Sequence, residues 1–211
     1  MDYLNLRAKL YKIAGMKLGE EFYQRTNVVQ VARELLGKVL YTRIDGETTA
    51  GMIVETEAYS WKERGCHAYN NKKTNRNEIM FGPGGFSYVY LCYGIHHLFN
   101  IVTHTEAVAD AVLIRALEPV AGEELMLRRM KARDVRRITS GPGKLTKALG
   151  IDRKMNAKYL QGDEVWVEDA GIKIAKSKII ATPRIGIDYA GEDAQLPWRF
   201  LVKDNPWVSK P

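Results

Sequence analysis

Glu55 and Glu57 stand two apart in Ile53-Val54-Glu55-Thr56-Glu57-Ala58-Tyr59, an apolar run that ends in a carboxylate and an aromatic ring. In a strand, alternate side chains share a face. Ile53, Glu55, Glu57 and Tyr59 are therefore expected on one side and Val54, Thr56 and Ala58 on the other. The following residues, Ser60 to Gly65, are polar, so Glu57 lies close to where a rigid strand gives way to a loop. Catalytic side chains are often held at such places. The ordinary alternative is a pair of exposed glutamates on a half-buried strand, since Glu is mostly a surface residue.

Tyr88, Tyr90 and Tyr93 fall within six positions, beside Gly94. Tyrosine on a strand is usually packing. Three together in a basic chain suggest more. Rings on one strand face can stack a nucleobase, and a cationic base gains further from the ring quadrupole. Tyr93 sits at the break after the strand, where its ring could project as a wedge between base pairs. Ser140-Gly141-Pro142-Gly143-Lys144 opens a helix with small residues and a cation. That pattern suits either a phosphate or an ordinary capped start, but it lacks the spacing of a triphosphate-binding loop. The helix Gly122 to Arg133 carries Arg128, Arg129, Lys131 and Arg133, which reads as a solvated face with nonspecific backbone contact as the second reading.

Composition narrows the class. The chain has 211 residues, enough for one domain with a sizeable core. Its net charge of +7 and pI near 9.3 point to a polyanionic partner, nucleic acid ahead of an acidic membrane surface. Two cysteines make no disulfide framework, and the four histidines show no CxxC or HExxH spacing, so no structural zinc is expected. Lys9, Lys12 and Lys17 interrupt the apolar residues of the first segment, which excludes a transmembrane span there.

The elements that must position these residues follow from periodicity. Met1 to Gly19 reads as a short basic helix. Val28 to Leu36 is an amphipathic helix, capped by Thr26 or Asn27 and ended by Gly37. Lys38 to Ile44 is a strand, Asp45-Gly46 a hairpin turn, and Thr48 to Tyr59 the return strand. Trp61 to Asn77 is a charged loop. Ser87 to Cys92, Leu98 to Thr103 and Ala111 to Leu117 are strands, the last stopped by Glu118-Pro119. Val165 to Glu168, Ile172 to Ile187 and Trp198 to Lys203 are further strands. Strands and helices mix without a βαβ rhythm. The expected class is α+β, a single compact domain with a curved, mostly antiparallel sheet flanked by helices.

One resemblance collects these pieces. The motifs Val54-Glu55-Thr56-Glu57-Ala58-Tyr59, His67, Thr74-Asn75-Arg76-Asn77, Met80-Phe81, Tyr88-Val89-Tyr90 to Tyr93-Gly94, Asn100, Leu113-Ile114-Arg115-Ala116-Leu117-Glu118-Pro119 and Ser140-Gly141-Pro142 occur in that order. Together they resemble the alkyladenine (3-methyladenine, methylpurine) DNA glycosylase family from roughly Leu18 to Ser209. The resemblance implies a monofunctional base-excision enzyme for alkylated or deaminated purines, with residues 1–17 as an arm and 18–211 as the glycosylase domain. By motif match Glu57 is the general base, and Arg115 holds the catalytic water with it. Tyr59, His67 and Tyr90 line the base pocket and Tyr88 supports it. Tyr93 fills the gap in the duplex, Asn100 tests base identity, and Lys72, Thr74, Met80 and Leu113 contact DNA. Glu55 is expected to be a neighbour whose loss costs far less.

The resemblance further implies no cofactor, no metal and no lyase step. The partner is double-stranded DNA containing damaged purines, there is no membrane association, and the protein is a monomer of the cytoplasm or, in a eukaryote, the nucleus. Two other classes compete. A non-catalytic nucleic-acid-binding protein would use the tyrosines as a stacking platform and needs no carboxylate at Glu57. A small-molecule glycosidase would want a carboxylate pair and leaves Tyr93 unexplained.

Overall fold

The computed structural model describes residues 15–136 and 138–210. Its centre is one long strand, β3 (Glu47–Tyr59), buried along most of its length. The strand before it, β2 (Val39–Ile44), turns into it at Asp45-Gly46, both with positive φ, which the Asp-Gly pair accommodates at little cost. On its other side β3 pairs with β6 (Asp110–Ala121), which pairs in turn with β5 (His96–Thr103) and that with β4 (Ser87–Cys92). Beyond β2 lie β7 (Val165–Asp169) and the two-residue β1 (Met16–Lys17). The far half of β3, past its pairing with β2, is covered by β9 (Arg199–Val202), which also pairs with β8 (Ile179–Thr182). All these pairings are antiparallel, and the fold class is the expected α+β.

The helices cover one face. Val28, Val31 and Ala32 of α2 (Val28–Glu34, following the single turn α1, Glu20–Tyr23) pack with Leu40, Ile53, Ala58, Ile114 and Phe200. Asn27 caps α2 by accepting from Gln30 N–H at 3.0 Å. Met126 of α3 (Glu123–Met130) and Leu145, Ala148 and Leu149 of α4 (Pro142–Leu149) join the same core. A second, smaller core of Val39, Met52, Val54, Ala116 and Trp207 lies on the opposite face.

Several expectations need correction. Ile53 does not share a face with Glu55 and Glu57. The register between β3 and β6 shifts between Ile53 and Glu55 and shifts back between Glu55 and Thr56. The first bulge inverts the alternation of β3, so that Thr56 and Ala58 join Ile53 on the helix side, with Thr56 Oγ1 donating to Ala32 O at 2.8 Å. The second puts Arg115 out of step on β6, between the partners of Glu55 and Thr56. Both strands therefore turn chosen side chains to the same side.

Pro119 does not stop β6, because it sits at a further register shift opposite Gly51, where a missing N–H is tolerated. Of the strand expected over Ile172 to Ile187 only Ile179–Thr182 forms, since Pro183 and Gly186 interrupt the rest. The helix expected to reach Arg133 ends at Met130, where Lys131 takes a positive φ. The N-terminal helix lies mostly outside the described residues. Within them, Met16 and Lys17 are extended and pair with Asp169 and Glu168. Among the described residues no helix is long and apolar enough to cross a membrane.

Candidate active site

A cavity of about 640 Å³ opens on the face away from the helices. Four of its walls come from the expected pocket residues. Tyr59 arrives from the end of β3, His67 from the loop after it, and Tyr88 and Tyr90 from alternate positions of β4. Their rings meet edge to face, with His67 4.7 Å from Tyr90 and 6.0 Å from Tyr88, and Tyr88 5.3 Å from Tyr90. Such an enclosure of flat surfaces fits a planar, aromatic guest. Asn100 of β5 and Leu113 and Arg115 of β6 complete the wall.

Burial sets the protonation of these groups. The His67 ring is pushed down to about 4, first by burial and then by the Arg76 guanidinium, so it is neutral near pH 7. Its Nδ1 lies 2.9 Å from the Tyr88 hydroxyl. Burial pushes the Tyr88 phenol up to about 12, against the opposing pull of Arg76, and Tyr59 and Tyr90 are raised as well. The pocket is thus lined by neutral rings at physiological pH.

Glu57 lies one contact behind that wall. It is fully buried, and three groups that line the cavity or its edge hold it. The Tyr59 hydroxyl donates to Oε2 at 2.7 Å, Ile185 N–H donates to Oε1 at 2.8 Å, and Arg115 Nη1 approaches Oε1 at 3.3 Å. Burial opposes the charge on Arg115, but the Glu57 and Glu55 carboxylates outweigh it and raise the guanidinium further above its ordinary value. The arrangement is a carboxylate and a guanidinium fixed side by side at the inner end of an aromatic pocket.

Glu55 is not the bystander expected. It is fully buried and accepts four hydrogen bonds: at Oε1 from Arg115 Nε (2.9 Å), Arg199 Nε (2.7 Å) and Ser209 Oγ (2.8 Å), and at Oε2 from Ser209 N–H (2.7 Å).

Tyr93 stands apart from the other rings. It is 88% exposed at the tip of the β4–β5 hairpin and touches the cavity mouth. Tyr93 and Gly94 both take positive φ, 49° and 71°, in a turn closed by Ile95 N–H donating to Cys92 O at 3.1 Å. Glycine adopts that conformation freely. A tyrosine there is strained, by roughly 1 kcal/mol, and strain of this kind clusters at functional positions. The turn packs against the start of α4, where a Cβ added at Gly143 would come within 2.8 Å of the His96 ring. Ser140, Gly141, Pro142, Gly143 and Lys144 line the same side of the mouth.

The expected DNA-contacting residues divide. Met80 and Leu113 are buried and line the cavity, so they belong to the pocket wall and not to an exposed contact surface. Lys72 and Thr74 are exposed and lie outside the cavity wall. Their loop is tied by Asn77, whose Oδ1 accepts from Thr74 N–H (2.7 Å) and Oγ1 (3.0 Å) and whose Nδ2 donates to His67 O and Lys72 O, both at 2.9 Å.

Sequence reasoning missed three contributors. Arg76 lies 4.7 Å from the Tyr90 ring and lines the cavity. Arg184, buried, donates from Nη1 and Nη2 to the two Glu63 oxygens at 2.7 Å each and lies 4.8 Å from the Tyr59 ring. It clamps the loop after β3 and backs the pocket ring. Ile185 supplies the backbone donor to Glu57. The Pro183 and Gly186 that interrupt the strand flank both residues, and that break was the available signal.

Fold and site together define a mixed α+β protein with a base-sized aromatic pocket and a buried Glu–Arg pair. The methylpurine-DNA glycosylase family model matches residues 21–206. A protein of Alkaliphilus oremlandii named "Putative 3-methyladenine DNA glycosylase" is 45% identical over 204 residues, covering 92% of this chain and all of the relative. Relatives of the same name in Methanocella arvoryzae (48% identical, 92% of this chain, 96% of the relative) and Chlamydia felis (44%, 88% and 95%) are similar over comparable spans. The chain belongs to the methylpurine-DNA glycosylase family.

Proposed function

We propose that the protein is a monofunctional DNA glycosylase that extrudes alkylated or deaminated purines (3-methyladenine, 7-methylguanine, hypoxanthine, ethenoadenine) from duplex DNA and hydrolyses the N-glycosidic bond. The observation that carries this reading is the placement of the Glu57–Arg115 pair behind a pocket of neutral rings, with an exposed aromatic wedge at its mouth.

The extruded base stacks among Tyr59, His67 and Tyr90. Extrusion costs a few kcal/mol, least for a damaged or mispaired base, which itself biases selection. Tyr93 fills the vacated place in the stack. A water held by Arg115 and Glu57 attacks C1′ as the bond to the base nitrogen breaks. Glu57 takes the proton of that water and stabilises positive charge on the sugar. A purine methylated at N3 or N7 leaves as a neutral base. Hypoxanthine leaves only with a proton added, which His67 Nε2–H or a water supplies. Because Glu57 has no exposed surface, the water reaches it only when Tyr59 or Arg115 shifts on DNA binding, in keeping with catalytic contacts that tighten in the bound complex. Lys144 lies at the mouth, on the helix start suited to phosphate, and takes no covalent part. The net charge of +7 favours a duplex as partner, and the protein acts as a monomer.

Incubation with duplexes carrying methylated purines or hypoxanthine, followed by analysis of the free bases, tests the reading. Base release leaving an uncleaved abasic strand is expected. Salt-dependent binding without release would instead identify a non-catalytic binder. Tyr93→Ser is expected to weaken retention of a hypoxanthine-containing duplex about tenfold and of the single strand much less, comparable to the loss of one stacked ring. Equal losses would make Tyr93 a packing residue.

A further inference from the structure

We propose that Glu55 is a positioning residue for the reaction, holding Arg115 in register through a clamp closed by Arg199 and Ser209; this rests on the glycosylase reading above. Arg115 touches three partners with three different nitrogens. Nε meets Glu55 Oε1 at 2.9 Å, Nη1 meets Glu57 Oε1 at 3.3 Å, and Nη2 meets Ser209 Oγ at 3.4 Å. The shortest contact is the one to Glu55, away from the cavity. The longest-range consequence is at Nη1, the nitrogen beside Glu57.

A guanidinium is a rigid plane, so fixing Nε and Nη2 fixes where Nη1 points. Glu55 is itself over-determined. Four donors from β6, β9 and the Trp207–Ser209 segment converge on its two oxygens, and Arg199 Nη2 also donates to Ser209 O at 3.4 Å. The bulge on β6 places Arg115 at this level, between the residues paired with Glu55 and Thr56. Glu55 does not line the cavity and Arg115 does, so Glu55 acts on the reacting atoms only through Arg115. A displacement of Arg115 by about 1 Å would cost on the order of a hundredfold in rate with little effect on binding.

The test is a double-mutant cycle on the full chain. Single-turnover base release from a hypoxanthine-containing duplex is measured for wild type, Glu55→Gln, Arg115→Lys and the double variant. Binding is measured in parallel on a duplex with the non-hydrolysable 2′-fluoro analogue of the same nucleotide. Glu55→Gln is expected to slow release about a hundredfold, to leave binding of the analogue unchanged, and to add little further loss in the Arg115→Lys background. Additive losses, an equal loss of binding, or an unchanged rate would each overturn the positioning role.

Ser209→Ala removes one contact to Glu55 and keeps the backbone one. It is expected to slow release about tenfold, with the same non-additivity towards Arg115→Lys, and it decides the matter by the same criteria if Glu55→Gln does not fold. Wild-type protein that releases no base from duplexes carrying hypoxanthine or methylated purines would overturn the glycosylase reading and the positioning role together. Active wild type with additive variants would overturn the positioning role alone.

Discussion

The two halves of β3 obey different rules. From Glu47 to Met52 it pairs with β2 residue for residue, and its partner Leu40 faces the helices in an apolar core. From Val54 onward it is bulged, pairs with β9, and carries two fully buried carboxylates answered by Arg115 and Arg199. The first half exchanges apolar surface for stability. The second accepts the desolvation of four charged groups, a poor way to gain stability, and obtains a fixed constellation beside a cavity. Substitutions in the two halves should therefore fail differently, one in folding and the other in chemistry.

The largest effect is expected at Glu57. Glu57→Gln should retain binding to a damaged duplex and slow single-turnover base release by about a thousandfold, within the range for losing a general base. Release near the wild-type rate would remove the functional distinction between the halves. The counterpart is Leu40→Ala in β2, fully buried on the helix side. It should cost about 3 kcal/mol in urea unfolding and leave the rate per folded molecule unchanged. A fall in that rate would mean that the helix-covered core and the site are coupled.

The regular half was legible because its signals are local. Asp45-Gly46 fixes the hairpin, the apolar stripe of α2 fixes its buried face, and period-two alternation fixes the strand faces up to Ile53. A bulge leaves no such signal. Nothing in Val54-Glu55 shows that the alternation inverts there, so Ile53 was placed on the wrong face and Glu55 was read as an onlooker. Glu57, Tyr59, His67, Tyr88, Tyr90, Asn100 and Arg115 were legible only as a set of motifs whose order carries the family resemblance. Arg184 and Ile185 escaped because their segment was read as strand. Their roles are defined by contacts to Glu63 and Glu57, more than a hundred residues away in the chain.

A smaller effect separates the halves by pH. The buried His67 binds its proton near 4, whereas in the unfolded chain it does so at its ordinary value of 6.5. As pH falls through that window the unfolded state takes up a proton that the native state refuses. Stability should decline by about 2 kcal/mol, allowing for the part of the ring that water reaches, and no further from this group below pH 4. His67→Gln should flatten that part of the profile, as read by urea unfolding between pH 7 and pH 4. Leu40→Ala should lower the whole profile without changing its slope. A parallel drop in His67→Gln would mean that the ring is already solvated and the pocket more open than its geometry indicates.

The smallest effect concerns Asn100, the residue through which the site reads its guest. Guanine differs from hypoxanthine by its 2-amino group, and a pocket for damaged purines must refuse the abundant normal guanine. Hydrogen bonding alone does not achieve this, because guanine can bond too; an obstacle or an unpaired polar group is needed. Asn100 is buried, lines the cavity, and donates from Nδ2 to Tyr88 O at 3.0 Å across the β4–β5 pairing. That bond belongs to an asparagine stitching two strands. It also stops the amide from rotating aside, and a fixed amide is a better obstacle than a mobile one. Asn100→Ser should lose the bond, costing about 1 kcal/mol of stability, and should open space, raising excision of undamaged guanine relative to hypoxanthine by several-fold. Competition between the two bases in otherwise identical duplexes measures the ratio. If stability falls and the ratio does not move, Asn100 belongs with the structural half of the comparison, and the discrimination against guanine resides in other groups of the wall.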